Sequence, residues 1–120
     1  MERQQARIHA EQWIAAWNER DLDAIMEHYT PSVHFSAPTV INRWSKADGV
    51  LIGRDALRQH FQRGLERAPH LHFELVDVLM GVDGMTIVYR RETGALVVDV
   101  VLLNEDYQGV DVHVYYGDVS

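Results

Sequence analysis

Residues 95–103 read Ala-Leu-Val-Val-Asp-Val-Val-Leu-Leu, eight apolar side chains around one carboxylate, Asp99. The β-branched content and the length of the run predict a buried strand covered on both faces. An ionised carboxylate inside such a strand carries a heavy desolvation cost unless it is paired or opens onto a cavity. Two readings follow. In one, Asp99 lies near an exposed face and is capped by a neighbouring arginine. In the other, it projects into a ligand pocket with a raised pKa.

Working outward, turn-forming residues bound this strand on both sides. Asn104 to Gly109 turns the chain into a last strand, Val110 to Tyr116, and Thr93-Gly94 turns it back into Met85 to Glu92. Asp83-Gly84 is a hairpin signal, and His70 to Met80 reads as a long strand with a bulge after Leu75. The N-terminal half is helical instead. Ala6, Ala10, Trp13, Ile14 and Trp17 form the apolar stripe of a helix over Arg3 to Glu19, with both tryptophans one turn apart on one face. Asp21 is the N-cap of a short second helix, Leu22 to Tyr29, stopped by Pro31. Ser32 to Ala37 alternates as a strand and ends at Pro38. Thr39 to Gly49 has no period and reads as a loop carrying Trp44 over a pocket mouth or against the body. Arg54 to Arg67 is a third helix with Ala56, Leu57, Phe61, Gly64, Leu65 and Ala68 inward, closed by Pro69. The order is ααβαββββ: helices first, then hairpins, an α+β domain with helices on one face of an antiparallel sheet.

The bulk properties narrow the function. At 120 residues the chain is expected to be one domain, 1–120, with 47% hydrophobic and 24% charged residues, the profile of an ordinary globular protein. A net charge of −7 argues against nucleic acid and anionic membrane as partners, since both need a basic face. Cysteine is absent, which excludes thiol and disulfide chemistry. No signal peptide or membrane-length apolar run is evident, so a cytoplasmic location is the expectation. Of seven histidines only His70 and His72 have ligand spacing, and no third ligand accompanies them, so no metal and no cofactor is expected. His28 and His34 read as surface residues. Nucleophile elbows and glycine-rich phosphate loops are missing.

Four stretches in order resemble the NTF2-like superfamily, which includes SnoaL-like polyketide cyclases and ketosteroid isomerases. They are Trp-Ile-Ala-Ala-Trp-Asn-Glu-Arg-Asp-Leu-Asp-Ala-Ile (13–25), Phe-Ser-Ala-Pro (35–38), Gly-Arg-Asp-Ala-Leu-Arg-Gln-His-Phe (53–61) and Val-Asp-Val-Val-Leu-Leu-Asn-Glu-Asp (98–106). The resemblance spans nearly the whole chain and implies a cone, three N-terminal helices packed on a curved antiparallel sheet. It fixes no reaction, because this fold hosts many. Along the ketosteroid isomerase pattern, Asp99 stands where that family keeps a protonated aspartic acid that donates to the substrate oxyanion. Trp13 stands in place of its oxyanion-binding tyrosine, Ala37 in place of its general-base aspartate, and Phe61 in place of a supporting tyrosine. Tyr107 occupies a turn position that usually carries glycine.

The resemblance implies that Asp99 faces the cavity. Parity then turns Val97, Val101 and Leu103 inward with it, and Val98, Val100 and Leu102 outward. That outer face is expected to be covered by the sheet of a second subunit, a homodimer. On the last strand Val112, Val114 and Tyr116 would line the cone, leaving Asp111, His113 and Tyr115 outside. The facing of Tyr89 depends on the turn: two residues at Thr93-Gly94 pair Val88 with Asp99, and one more pairs Tyr89 with it.

Three functions fit. In the first, Asp99 is the general base or acid of an isomerase, cyclase or eliminase-type lyase acting on a carbon acid. Its small, planar, hydrophobic substrate would be bound by Trp13, Trp17, Tyr29, Ala37, Phe61, Leu65, Val101, Val114 and Tyr116. In the second, the same cone binds a small hydrophobic ligand without catalysis. In the third, the domain only dimerises.

Overall fold

In the computed structural model, which describes residues 1–117, the apolar stripe of the first helix, α1 (Arg3–Asn18), lies buried against the sheet. The helix α2 (Leu22–Met26) follows, its first turn closed by Asp21, whose side chain accepts from the Ala24 N–H at 3.1 Å. Then come β1 (Tyr29–Ser36), α3 (Pro38–Trp44), β2 (Val50–Ile52) and α4 (Arg54–Arg67). The meander β3 (Phe73–Met80), β4 (Gly84–Arg91), β5 (Leu96–Leu103) and β6 (Gly109–Tyr116) completes one six-stranded sheet in the order β2-β1-β6-β5-β4-β3. The fold is the expected α+β cone type, helices on one face of a mostly antiparallel sheet. The parallel pair β1–β6 is the exception. No described helix is long and apolar enough to cross a membrane.

Two elements differ from expectation. Residues 39–49 are not all loop. Pro38 opens α3 rather than merely ending a strand, because its fixed φ and missing N–H suit a first helical turn. The short β2 then pairs Leu51 with Phe35, so the layout is ααβαβαββββ. The second helix also stops early, at Met26. Tyr29 begins β1 instead, opposite Gly109, and the ladder to β6 resumes only at His34. Pro31 sits in that irregular stretch, where no ladder bond needs its nitrogen.

The parity of β5 is as expected. Val97, Asp99, Val101 and Leu103 are buried on the helix side, while Val100 and Leu102 are exposed. The bulge in β3 lies between Leu75 and Asp77 and lets Phe73 and Val78 both face inward. Gly84 is pressed so close to β5 that a Cβ would fall 2.2 Å from the Val101 carbonyl oxygen, which only glycine allows. The β4–β5 turn matches neither expected register. It holds three residues, Glu92 to Gly94, with Gly94 at φ 90°, and the Arg91 N–H donates to the Ala95 carbonyl. Ile87 therefore stands opposite Asp99, and Tyr89 opposite Val97. The extra turn residue lies on the strand β4 side, and Tyr89 stays on the same face as Asp99, one step along the diagonal.

Candidate active site

Asp99 is 3% exposed, flanked across the sheet by Ile87 and Val114. Among the described residues its one side-chain hydrogen bond is from the Tyr89 hydroxyl, which donates to Oδ1 at 2.8 Å. Among the described residues no arginine, lysine or histidine forms an ion pair with it, so the arginine-capped reading fails. Burial among apolar neighbours pushes its pKa up to about 7, opposed by the Tyr89 hydrogen bond, which favours the ionised form. A carboxyl group so placed is near half-ionised at neutral pH.

Aromatic rings build the rest of the interior. Tyr89 is held by Phe73, with centroids 4.6 Å apart, and by the edge of Trp13 at 5.4 Å. Trp17 meets Phe61 edge-to-face at 4.9 Å, and Phe35 meets the same ring at 90°. Such offset and T-shaped contacts are the arrangements the ring quadrupoles favour. The Trp13 indole N–H donates to the Tyr29 hydroxyl at 2.8 Å. The Trp17 indole N–H is buried without a partner among the described residues.

Asp99 borders two cavities. The larger, of about 150 Å³, brings together Asp99 with Trp13, Trp17, Phe61, Val114 and Tyr116 of the expected site. The smaller, of about 20 Å³, brings Tyr29 and Val101 to the other side of Asp99, beside Trp13. Ala37 and Leu65 are buried but border neither. Tyr116, expected to line the cone, is 41% exposed and stands at the edge of the larger cavity. Near the smaller cavity Tyr107 takes a left-handed φ of 60°, stacks on His9 at 5.0 Å, and accepts from the Glu2 N–H at 3.1 Å. His28 borders the same cavity rather than standing on the surface. Burial, then the charge of His9, lowers its pKa to about 4. His34 is exposed.

One cluster on the wall of the larger cavity was not expected. His60, on α4, is 3% exposed. Its Nδ1 accepts from the Trp44 indole N–H at 2.9 Å, while Nε2 lies 3.2 Å from the Thr39 hydroxyl. An indole N–H only donates, so Nδ1 is unprotonated and the neutral ring carries its hydrogen on Nε2. Burial, then the nearby Arg43 charge, lowers the His60 pKa to about 4. Trp44 is thus tied to the body, with Arg63 stacked 5.5 Å over its ring. The sequence signal for this contact was slight: a lone histidine at a polar-looking helix position, and a tryptophan in a stretch without period.

The profile of the SnoaL-like domain matches residues 10–115. A SnoaL-like protein of unknown function from Burkholderia thailandensis E264 is 31% identical, with 98% of this chain and 99% of that one aligned at a TM-score of 0.91. A SnoaL-like family protein of Agrobacterium tumefaciens strain C58, assigned provisionally as an isomerase, is 17% identical over 96% and 99% of the two chains, TM-score 0.75. TerC, co-crystallised with polyporic acid, is 11% identical over 93% and 91%, TM-score 0.75. No curated protein matches the chain.

Proposed function

Because the chain belongs to the SnoaL-like domain family of the NTF2-like superfamily, we propose that its larger cavity is a small-molecule active site in which Asp99 moves a proton at carbon. The observation that carries this is a lone buried carboxyl group, titrating near neutrality, on the wall of an aromatic cavity. Ionised, Asp99 is a stronger base than a solvated aspartate; protonated, it can return the proton. The cycle needs no other acid: a C–H bond α to a carbonyl breaks, its proton passes to Asp99, and the electron pair moves into the enolate. Asp99 then delivers the proton to a second carbon. The Trp17 N–H and the Tyr116 hydroxyl are the donors on the cavity wall nearest in character to an enolate-oxygen partner. Isomerisation of a β,γ-unsaturated ketone is the simplest reaction of this class. The likeness to a provisional isomerase and to a protein co-crystallised with an organic acid supports a small-molecule site.

Cyclohex-3-enone is a suitable test, since conjugation gives an absorbance that can be followed directly. The rate should rise with pH through an apparent pKa near 7, then level off. Asp99→Asn should lower it by about 10²-fold or more, the usual contribution of a positioned acid–base group. Tyr89→Phe should keep turnover but raise the apparent pKa by roughly one to two units, because a hydrogen bond to the charged form is worth about 1.5–3 kcal/mol. Full turnover in Asp99→Asn would sink the reading. The binding-module reading is favoured by one observation: position 37, where the resembling isomerases keep their base, holds a buried alanine.

We further propose that a second copy covers the outer face of the sheet. Its support is the row Leu79, Val100 and Leu102, 51%, 39% and 37% exposed, on the side away from the helices.

A further inference from the structure

Of the 17 described residues bordering the larger cavity, one is an acid, Asp99, while Arg43, Arg67 and Arg91 all border it. The chain as a whole carries 18 acidic residues against 11 basic, so this gathering runs against its composition. Arg67 is exposed and the other two are half-buried, which places them around the opening while Asp99 lies at depth. Arg91 is bonded to Glu92 at 3.0 and 3.1 Å. Arg43 and Arg67 meet no carboxylate within ion-pair distance among the described residues.

Arg43 is held in a position that disfavours its own charge. Burial, then the charge of Arg67, both lower its pKa. Its Nη1 donates to the His60 carbonyl at 3.0 Å, and its Nε is buried with no acceptor among the described residues. A Cβ on Gly64 would come 3.3 Å from that same Nη1, so α4 omits a side chain where the guanidinium lies, although glycine in a helix interior costs about 1 kcal/mol. A half-buried cation with no ion-pair partner among the described residues is explained if the counter-ion arrives with a ligand.

We propose that the larger cavity takes a small cyclic carboxylate, with its ring among Trp17, Phe61 and Phe73 and its carboxylate held at the opening by Arg43 and Arg67. This inference rests on the reading of the cavity as a ligand site and names the ligand class. A cavity of about 150 Å³ is the size that accepts benzene, so one ring fits at depth and the charged group is left at the mouth. Combined with Asp99, the substrate class is a monocyclic unsaturated keto acid. One ring C–H bond breaks, its proton goes to Asp99, the electron pair enters the conjugated carbonyl, and the proton returns at another ring carbon.

Phenylacetate and its neutral methyl ester test this on the full chain, by calorimetry or tryptophan fluorescence. Phenylacetate should bind about tenfold more tightly, the worth of a charge-assisted hydrogen bond, and added salt should narrow the gap. Arg43→Gln and, independently, the exposed Arg67→Gln should each reduce the preference, while Arg43→Lys should keep part of it. Equal or tighter binding of the ester, binding of neither at millimolar concentration, or a preference untouched by both glutamines would overturn the inference. Turnover of cyclohex-3-enone without any anion preference overturns it and leaves the Asp99 reaction standing. Anion preference without Asp99-dependent turnover supports it and removes the reaction instead.

Discussion

At position 99 folding and proton binding are coupled. Asp99 has a folded pKa of about 7 against 3.8 for a free aspartate. Between those values the native state keeps a proton that the unfolded chain has released. Stability from this group is therefore fully present below pH 3.8 and declines as pH rises toward 7, by about 1.4 kcal/mol per pH unit and about 4 kcal/mol in all. Asp99→Asn removes the titration while keeping the shape. Urea unfolding should find the variant close to wild type at pH 4 and more stable at pH 8. A variant weaker than wild type at pH 8 by several kcal/mol would point to a charge partner for Asp99. The inward direction of this residue was legible only through the family resemblance, because residues 95–103 are apolar at both parities and alternation alone picks no face. Its partner Tyr89 was not, because the pairing depends on whether Glu92 belongs to the strand or to the turn, and nothing in Arg-Glu-Thr-Gly decides that.

Among the elements, the long periodic ones were legible and the short ones were not. Arg54 to Arg67 was readable to the residue, since Leu57, Phe61 and Leu65 repeat at helical spacing. Helix α3 has seven residues and one buried side chain, Val40, so it presents no period, and its start is marked only by Pro38. What fixes α3 to α4 is polar: Trp44 and Thr39 bracket the His60 ring. That junction should be acid-labile. The folded pKa of His60, about 4, is depressed below 6.5, so as pH falls through that window the unfolded chain takes up a proton the native ring refuses. The junction's stability is present above 6.5 and is lost by about 3 kcal/mol toward pH 4. Asp99 acts with the opposite sign in the same range, so the effect is best read in the Asp99→Asn background. There, adding His60→Gln should make the acid limb of the stability curve, followed by tryptophan fluorescence, clearly shallower, the remaining slope belonging to His28, whose pKa is lowered likewise. An unchanged limb would show that His60 titrates freely.

For the whole molecule, the family and its α+β architecture were legible because four short stretches occur in the right order, although none is decisive alone. The arginines around the larger cavity were not, since Arg43, Arg67 and Arg91 lie on three separate elements or their ends and meet only in space. The outer face of the sheet carries the remaining prediction. A second copy related by a two-fold axis would bury Val100 of both chains. Sedimentation should therefore show a dimer at micromolar concentration, and Val100→Lys should shift it to monomer without loss of helical circular dichroism. A wild-type monomer under those conditions would leave the face uncovered.

The parallel pairing of β1 with β6 has a consequence for how the chain acquires its shape. It sets Tyr29 opposite Gly109, where the Thr30 hydroxyl donates to the Gly109 carbonyl across 79 residues of sequence, whereas each strand of the β3–β6 meander pairs with its immediate successor. Loop-closure entropy makes such a distant contact late and slow. During synthesis the helices and β1 leave the ribosome before the meander they pack on, and β1 stays unjoined to it until residues 109–116 have emerged. A nascent chain halted after Leu103 would thus leave Phe35 without Val112, its neighbour on β6, and such an open apolar edge is a natural target for chaperones and a seed for aggregation.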